Sequence, residues 1–139
     1  KVGNNVIIAN NVPLGGHVTL EDSVIIGGNS AVQQFTRIGR LAMIGGMTGV
    51  LKDVIPFGLS FGNRNYLQGI NLIGLRRKKY DNKKILELDS AYKKIFSSEK
   101  FHENLAKING EFKGNELVKE VINFIEKDKK RPICTPLAK

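Results

Sequence analysis

The sequence predicts a β-solenoid, a parallel β-helix built from hexapeptide repeats, followed by a small all-α C-terminal domain. Two periodicities predict this fold. Residues 2–55 repeat every six positions, and each of the nine hexads opens with a branched aliphatic residue. From Asn82 onward, the apolar residues recur at the spacing of a helical face. A six-residue period cannot stay on one side of an α-helix, whose turn takes about 3.6 residues, but it is typical of a hexapeptide solenoid.

Each hexad supplies one strand and one turn, and three hexads complete a triangular coil, so residues 1–55 are expected to form three coils. The first position of each hexad points into the prism. These positions are Val2, Ile8, Leu14, Leu20, Ile26, Val32, Ile38, Ile44 and Val50. Gly or Asn near a corner tolerates positive φ. Because the sequence opens in mid-pattern and a first coil has an unpaired edge, we expect further coils upstream in the natural protein.

The segments after the repeat have a different composition. Residues 56–80 are rich in Gly and Asn and are predicted to form an irregular connector that returns along the prism. Residues 81–139 are predicted to form a three-helix domain. Its first helix starts at Asn82, and the next two are capped by Ser98 and Asn115. The predicted inward faces are Ile85, Leu88, Tyr92, Ile95 and Phe96, then Phe101, Leu105 and Ile108, then Leu117, Val118, Val121, Ile122 and Ile125.

Charge is uneven along the chain, whose formal net charge is +9. Residues 1–55 hold four Lys or Arg against three Asp or Glu, a net +1, whereas residues 56–139 hold eighteen against ten, a net +8. A basic half favours a polyanionic partner, although solvated lysines on the outer helix faces explain most of the charge. The sequence lacks zinc-finger spacing and the aromatic RNA-binding motif, so nucleic acid is not expected as a partner.

The composition is that of an ordinary globular protein, with 41% apolar and 25% charged residues. No run of eighteen apolar residues occurs, so no stable membrane insertion is expected. The single cysteine, Cys134, cannot form an internal disulfide or a cysteine-based metal cluster, and no metal site is expected. This cysteine usage fits a reducing, cytoplasmic location.

Five segments, in a fixed order, narrow the fold to one family. They are LGGHV (14–18), IIGGNSAVQQF (25–35), IGGMTGVLKDVIPF (44–57), GNR (62–64) and INLIGLRRKKY (70–80). Together with the helical tail, they resemble the UDP-N-acetylglucosamine O-acyltransferases, the first enzymes of lipid A synthesis. The resemblance covers essentially the whole chain and corresponds to the C-terminal half of that family. It implies a left-handed β-helix and a cytoplasmic homotrimer with clefts between neighbouring prisms.

The resemblance implies transfer of a 3-hydroxyacyl chain from acyl carrier protein to the glucosamine 3-hydroxyl of UDP-N-acetylglucosamine. Such a transfer needs a base for the hydroxyl, an oxyanion site and grips for both substrates. No cofactor is implied, because the donor's phosphopantetheine arrives on the carrier protein. The family's base is a histidine in the coil before the first residues of this chain. The chain alone is therefore expected to be a poor catalyst or none.

His17 and Gly16 are the candidate catalytic residues. His17 matches a second active-site histidine of the family, and its implied role is to position substrate. Gly16 matches the residue whose backbone N–H contacts the oxyanion. The sequence leaves plainer interpretations open, namely an exposed surface histidine and a corner glycine that needs positive φ. The other histidine, His102, is expected to lie on the surface of the helical tail.

Gln33 and Gln34 are candidate substrate-binding residues at the place where the family usually has His-Gln. Gln34 matches and is expected to hydrogen-bond the sugar nucleotide. Gln33 departs from the pattern, and its amide can donate or accept a hydrogen bond but cannot shuttle a proton. Any ionisable role at this position is therefore in doubt. The alternative is that both are polar surface residues.

Asn71 and Arg77 match family residues that contact the nucleotide, with the Arg77 guanidinium against phosphate. Ile73 stands where some members have a glutamate, so one polar contact to the nucleoside is expected to be lost. The other residues of the RRKK run are either a docking surface for the acidic carrier protein or a solvated run before a helix.

Gly46 matches the residue that lines the family's acyl groove, where chain length is measured. Glycine leaves room for methylenes, each of which contributes about 0.8 kcal/mol when buried. A long hydroxyacyl chain is therefore expected. A structural need for a small residue in this hexad is the alternative.

Two other functions stay open. One is a different acyltransferase on the same scaffold, either a CoA-dependent acetyl- or succinyltransferase or the related N-acyltransferase of the same pathway. The GNR and NLIGLRR segments argue against it. The other is a non-catalytic trimeric scaffold, in which Gln33 and the absent base are genuine losses. A histidine-rich hexad upstream favours the enzyme, and an initiator Met at the true start favours the scaffold.

Overall fold

The computed structural model describes residues 1–63, 65–108 and 110–137. Within them, a β-helix is followed by a hairpin and by four helices. The strands of the β-helix are β1 (Ile7–Ile8), β2 (Thr19–Leu20), β3 (Ile25–Ile26), β4 (Ala31–Val32), β5 (Arg37–Ile38), β6 (Met43–Ile44) and β7 (Gly49–Val50). The later elements are β8 (Gly58–Phe61), β9 (Tyr66–Ile70), α1 (Leu72–Arg77), α2 (Asn82–Ile95), α3 (Phe101–Ile108) and α4 (Glu116–Lys127). Over these ranges, no helix is long and apolar enough to cross a bilayer.

The short strands stack in register, one coil above the next. β1, β3 and β6 lie in one sheet, β2 and β5 form a second, and β4 and β7 form a third, with parallel pairing throughout these strands. Each strand pairs with the strand one coil later, as Ile7 with Ile25 and Ile25 with Met43. The offset between partners equals three hexads, which confirms the predicted three-sided coil.

A residue with positive φ marks each corner of the coil. These residues are Asn5, Asn11, His17, Ser23, Asn29, Phe35, Leu41 and Met47, with φ between +56° and +67°. Asn adopts this conformation readily, but bulky side chains such as Phe35 and Leu41 rarely do. The repeat geometry therefore overrides local preference. The stacked corners define three edges of the prism: the His17 edge (His17, Phe35), the Met47 edge (Asn11, Asn29, Met47) and the Leu41 edge (Asn5, Ser23, Leu41).

The first residue of each hexad packs in the core of the prism. From Leu20 to Val50, these aliphatic side chains are at most 3% exposed. In the first coil, Val2 is 53% exposed, Ile8 38% and Leu14 37%. The difference arises because no described coil of this chain covers that end of the prism, so each first-coil side chain has a neighbour on one side only.

The prediction that residues 56–80 form an irregular connector is wrong. β8 pairs in parallel with β6 and antiparallel with β9, so a hairpin extends the largest sheet, and α1 follows it. Leu59 pairs with Gly69 and Ser60 with Leu67, which leaves one extra residue as a bulge. Gly69 takes φ +142° at this bulge. The glycines that suggested a loop instead allow the hairpin to form.

The three predicted helices are present as α2, α3 and α4. Asn115 caps α4 as predicted, because its side chain accepts hydrogen bonds from the N–H groups of Leu117 and Val118. Ser98 lies before α3 and accepts a hydrogen bond from the Lys100 N–H at 3.4 Å. The predicted inward faces are buried except for three half-buried aromatic residues, Tyr92, Phe96 and Phe101.

The helices share one hydrophobic core with the β-helix, and the chain returns to the β-helix after α4. The Asp53 N–H donates to the Pro132 carbonyl at 2.9 Å, and the Cys134 N–H donates to the Asp53 carbonyl at 2.8 Å. Ile133 thus forms a parallel bridge with Asp53. The described part of residues 81–139 is therefore not helical throughout, in contrast to the all-α prediction, because its end adds an extended segment to the last coil.

Candidate active site

The His17 edge presents an exposed histidine beside a bare stretch of backbone. His17 has φ +58°, and its imidazole stacks on the Phe35 ring with centroids 4.9 Å apart and planes 4° from parallel. The Phe35 N–H donates to the Gly16 carbonyl at 2.9 Å, which joins the two coils at this corner. Among the residues that the structure describes, no hydrogen bond reaches the imidazole, so its nitrogens are free for a ligand.

Gly16 leaves the backbone open next to His17. A Cβ added at Gly16 would meet no atom within 4 Å. The positive φ of this corner belongs to His17, so the interpretation of Gly16 as a corner glycine with positive φ is wrong. The Gly16 N–H has no hydrogen-bond acceptor in the described part of the chain. Gly15 differs, because a Cβ there would lie 2.4 Å from the Gln34 backbone nitrogen.

Gln33 and Gln34 lie on the next coil at this same edge, and both are exposed. The Gln33 N–H donates to the Val50 carbonyl at 2.9 Å, which fixes its backbone. Neither side-chain amide bonds to any residue within the described ranges. The structure therefore brings the two glutamines to the predicted catalytic pair and leaves their amides available to a ligand.

Gly46 lies on the Met47 edge, away from this cluster. The Met47 N–H donates to the Gly28 carbonyl at 2.9 Å, and a Cβ on Gly46 would lie 3.3 Å from that oxygen. An added methyl group would therefore lie tightly against the backbone. This close contact favours glycine for a structural reason, in addition to the predicted room for an acyl chain. Within one chain, Gly46 is not brought to the His17 edge.

Asn71 lies on the Leu41 edge and is buried. Its side-chain N–H donates to the Leu41 carbonyl at 3.0 Å, and its side-chain oxygen accepts from the Gly74 N–H at 3.1 Å. Asn71 thus caps α1 and ties it to a corner of the prism. This structural role was not foreseen, and contact with a nucleotide stays a prediction.

Arg77 is exposed in the last turn of α1. Neither it nor the other residues of the RRKK run forms an ion pair in the part of the chain that the structure describes. Cations near a helix C-terminus are favourable in themselves, so the run has a structural reason too. Ile73, on the same helix, is 65% exposed. Arg64, the last residue of the GNR segment, lies outside the described residues.

The predicted site residues therefore occupy three different edges of one prism. The described part of the chain does not assemble them into one cavity. Phe35 was quoted within a motif but not singled out, although it lies one coil after His17. An aromatic residue at an exposed corner was the signal in the sequence that could have found it.

Comparison with known proteins identifies the family of this chain. The model of the family described as UDP N-acetylglucosamine O-acyltransferase, domain 2, matches residues 53–134. The chain belongs to the UDP-N-acetylglucosamine O-acyltransferase family. The resemblance predicted from the five sequence segments is thereby confirmed.

Curated O-acyltransferases match nearly all of the chain. The acyl-[acyl-carrier-protein]–UDP-N-acetylglucosamine O-acyltransferase of Sinorhizobium fredii is 41% identical over 137 residues, covering 98% of this chain and 51% of that protein. The enzyme of the same name from Rhizobium leguminosarum bv. trifolii is 45% identical, covering 98% and 50%. The solved Arabidopsis UDP-N-acetylglucosamine acyltransferase has a TM-score of 0.90 and 36% identity, covering 96% of this chain and 50% of that one. The chain spans about half the length of the curated relatives it matches.

Proposed function

We propose that the intact protein transfers a 3-hydroxyacyl chain from acyl carrier protein to the glucosamine 3-hydroxyl of UDP-N-acetylglucosamine, the first step of lipid A synthesis. The relatives named for this reaction support the proposal. The observation that carries it is the unobstructed Gly16 backbone beside an exposed His17. Membership of the O-acyltransferase family favours this reaction over a CoA-dependent transfer or an N-acyl transfer.

The reaction divides into addition and collapse. The sugar hydroxyl attacks the thioester carbonyl while a base takes its proton, and the carbonyl oxygen becomes an oxyanion. Collapse of the tetrahedral intermediate expels the carrier sulfur, which takes the proton back from the base and leaves as the thiol, and the ester remains. The base is expected from a coil upstream of this chain, and the described residues are expected to be nearly inactive without it. The protein itself is proposed to need no cofactor, because the donor's phosphopantetheine is carried by the acyl carrier protein.

Gly16 supplies the proposed oxyanion contact. Its N–H is unbonded within the described residues, and the space where a Cβ would stand is empty, so a carbonyl oxygen can approach it. A preorganised donor of this kind contributes about a hundredfold to a thousandfold in rate. His17 is placed to orient the substrate, and the amide of Gln34 is placed to hydrogen-bond the sugar nucleotide. Gln33 adds only neutral hydrogen bonding.

We further propose a cytoplasmic homotrimer of left-handed prisms. The separation of the predicted residues over three edges supports an active site shared between chains, because one chain alone leaves Arg77 and Gly46 apart from His17. In this arrangement, the His17 edge of one prism faces α1 of its neighbour, whose Arg77 grips phosphate. Gly46 leaves room for a long acyl chain in the cleft. The other residues of the RRKK run attract the acidic carrier protein.

The test uses the product of the complete gene. It is incubated with UDP-N-acetylglucosamine and 3-hydroxyacyl carrier proteins of several chain lengths, and the 3-O-acylated sugar nucleotide is detected by mass spectrometry. Parallel reactions with acetyl- and succinyl-CoA test the other acyltransferases. Product from carrier-bound donors alone supports the proposal. A folded trimer that gives no product with any donor overturns it and leaves the non-catalytic scaffold as the better account.

A further inference from the structure

The backbone conformation and the exposure of Phe35 are both unfavourable for a phenylalanine. It has φ +67°, a left-handed conformation that bulky residues rarely adopt, and the residue is 52% exposed. Other corners have asparagine, which tolerates this conformation, at Asn5, Asn11 and Asn29. Neither backbone preference nor burial explains a phenylalanine here. The contact that does distinguish it is the stack on His17.

The stack is also what fixes the His17 ring. No hydrogen bond reaches the imidazole within the described ranges, and the corner itself is exposed. The two rings lie 4.9 Å apart and 4° from parallel. Below them, the Phe35 N–H bonds to the Gly16 carbonyl at 2.9 Å, so the same residue secures the backbone next to His17.

We propose that Phe35 is a positioning residue, which acts through His17 by holding the imidazole plane in place beside the Gly16 N–H. The inference deepens the proposed acyl transfer and rests on it. A parallel stack covers one face of the imidazole and leaves both ring nitrogens, which lie in the ring plane, free at the edge. Stacked aromatic pairs contribute beyond the area that they bury, so losing the stack releases the imidazole into several rotamers.

The first experiment measures the stack without any activity. In the intact protein labelled at histidine, the carbon-bound ring protons of His17 are assigned by their loss in His17→Ala. The face of a phenyl ring shifts these protons upfield. Phe35→Leu is expected to remove the upfield shift, and Phe35→Tyr is expected to keep it. Unchanged His17 signals in a folded Phe35→Leu variant would overturn the proposal.

The second experiment is a double-mutant cycle on acyl transfer. Phe35→Leu is expected to lower kcat/KM by roughly threefold to tenfold, and Phe35→Tyr is expected to restore it. In the His17→Ala background, the same Phe35→Leu change is expected to cost nothing further. Equal losses in both backgrounds would show a general structural effect and overturn the positioning role, as would no loss in either.

The two experiments separate this inference from the proposed function. If the intact protein transfers no acyl group, the proposed function fails, and the positioning role that depends on it falls with it even where the stack is present. If transfer occurs and the stack is present but the cycle is additive, the positioning role alone fails. Matched melting temperatures of the variants exclude unfolding as the cause.

Discussion

Arg40 and Glu120, eighty residues apart in the chain, form a bidentate ion pair between the β-helix and α4. The Arg40 Nε lies 3.2 and 3.1 Å from the two Glu120 oxygens, and its Nη2 lies 3.1 Å from Oε1. The same Nη2 donates to the Tyr80 hydroxyl at 2.8 Å. Burial opposes the charge, but the hydrogen bonds to Glu120 and Tyr80 outweigh it and raise the pKa of Arg40. This pair fixes the helices against the prism.

Arg40→Ala is expected to lower the free energy of unfolding by about 1–3 kcal/mol, because it leaves a partly buried carboxylate and hydroxyl without their donor. The measurement is urea unfolding followed by circular dichroism. Lys84→Ala, which breaks the exposed Lys84–Glu116 pair at 2.9 Å, is the matched control and is expected to leave the midpoint unchanged. Equal effects of the two substitutions would contradict the assigned role of Arg40.

Asn115→Ala is expected to destabilise the chain by about 1–2 kcal/mol, because it removes the cap of α4. The Asn115 side-chain oxygen accepts from the Leu117 N–H at 3.0 Å and from the Val118 N–H at 3.3 Å. Asn115→Ser keeps a side-chain oxygen that can cap the helix and, like alanine, loses the amide donations to the Lys84 carbonyl and to Glu87 Oε1, so it is expected to be less destabilising than alanine. Urea unfolding measures the difference between the two variants, and a serine variant as unstable as the alanine variant would exclude capping as the cause.

The β-helix could be predicted from sequence because the period of six is visible in every hexad. Each aliphatic residue that opens a hexad from Leu20 to Val50 is buried, as the pattern predicts. β8 and β9 could not be predicted, because they depart from the period of six and contain the glycines typical of a loop, such as Gly69. Strand pairing of this kind depends on tertiary contacts rather than on a local pattern.

The candidate site could be predicted only in part. His17 and Gln34 stand out as polar residues in fixed hexad slots, and the structure places them at one edge. The link from Asn71 to the prism was hidden, because it depends on a carbonyl at Leu41 that the hexad pattern does not single out. The stack of Phe35 on His17 follows from the 18-residue length of a coil, which places the two residues at the same corner of successive coils. It can be recognised only when the sequence is aligned coil by coil.

Stability is expected to fall as pH rises from about 9 to about 12. Burial raises the pKa of the Cys134 thiol from 9.0 to about 11, and burial also raises the pKa of Tyr92 from 10.0 to about 12. The folded state holds these protons where the unfolded chain has lost them, so the stability is complete below pH 9 and declines through the two folded pKa values. Thermal melts across this range measure the decline. Cys134→Ala is expected to flatten its lower part, and an unchanged slope would contradict the role of Cys134.

Gly16→Ala is expected to keep the fold and to lower acyl transfer by roughly a hundredfold, because the methyl group occupies the space through which the substrate carbonyl approaches the N–H. No atom lies within 4 Å of the added Cβ, so the melting temperature is expected to stay unchanged. Gly110→Ala, whose Cβ also meets nothing within 4 Å, is the matched control and is expected to keep full activity. An active Gly16→Ala variant would exclude this glycine from the oxyanion site.

A site shared between chains makes a prediction that a site within one chain does not. His17→Ala and Arg77→Ala are each expected to reduce acyl transfer by the homotrimer to a low residual rate. When the two variants of the intact protein are unfolded together and refolded as mixed trimers, some clefts combine an intact His17 edge from one chain with an intact Arg77 from its neighbour. Acyl transfer is therefore expected to return in the mixture.

The control for this mixing experiment is each variant refolded alone, which is expected to keep only its low residual rate. Mixed trimers are verified by mass spectrometry under native conditions, so that a failure to exchange subunits is not mistaken for a failure to complement. Mixed trimers without activity would place His17 and Arg77 in the same cleft of the same chain. That result would contradict the separation of the His17 and Leu41 edges on which the shared site depends, since Asn71 holds α1 to the Leu41 corner.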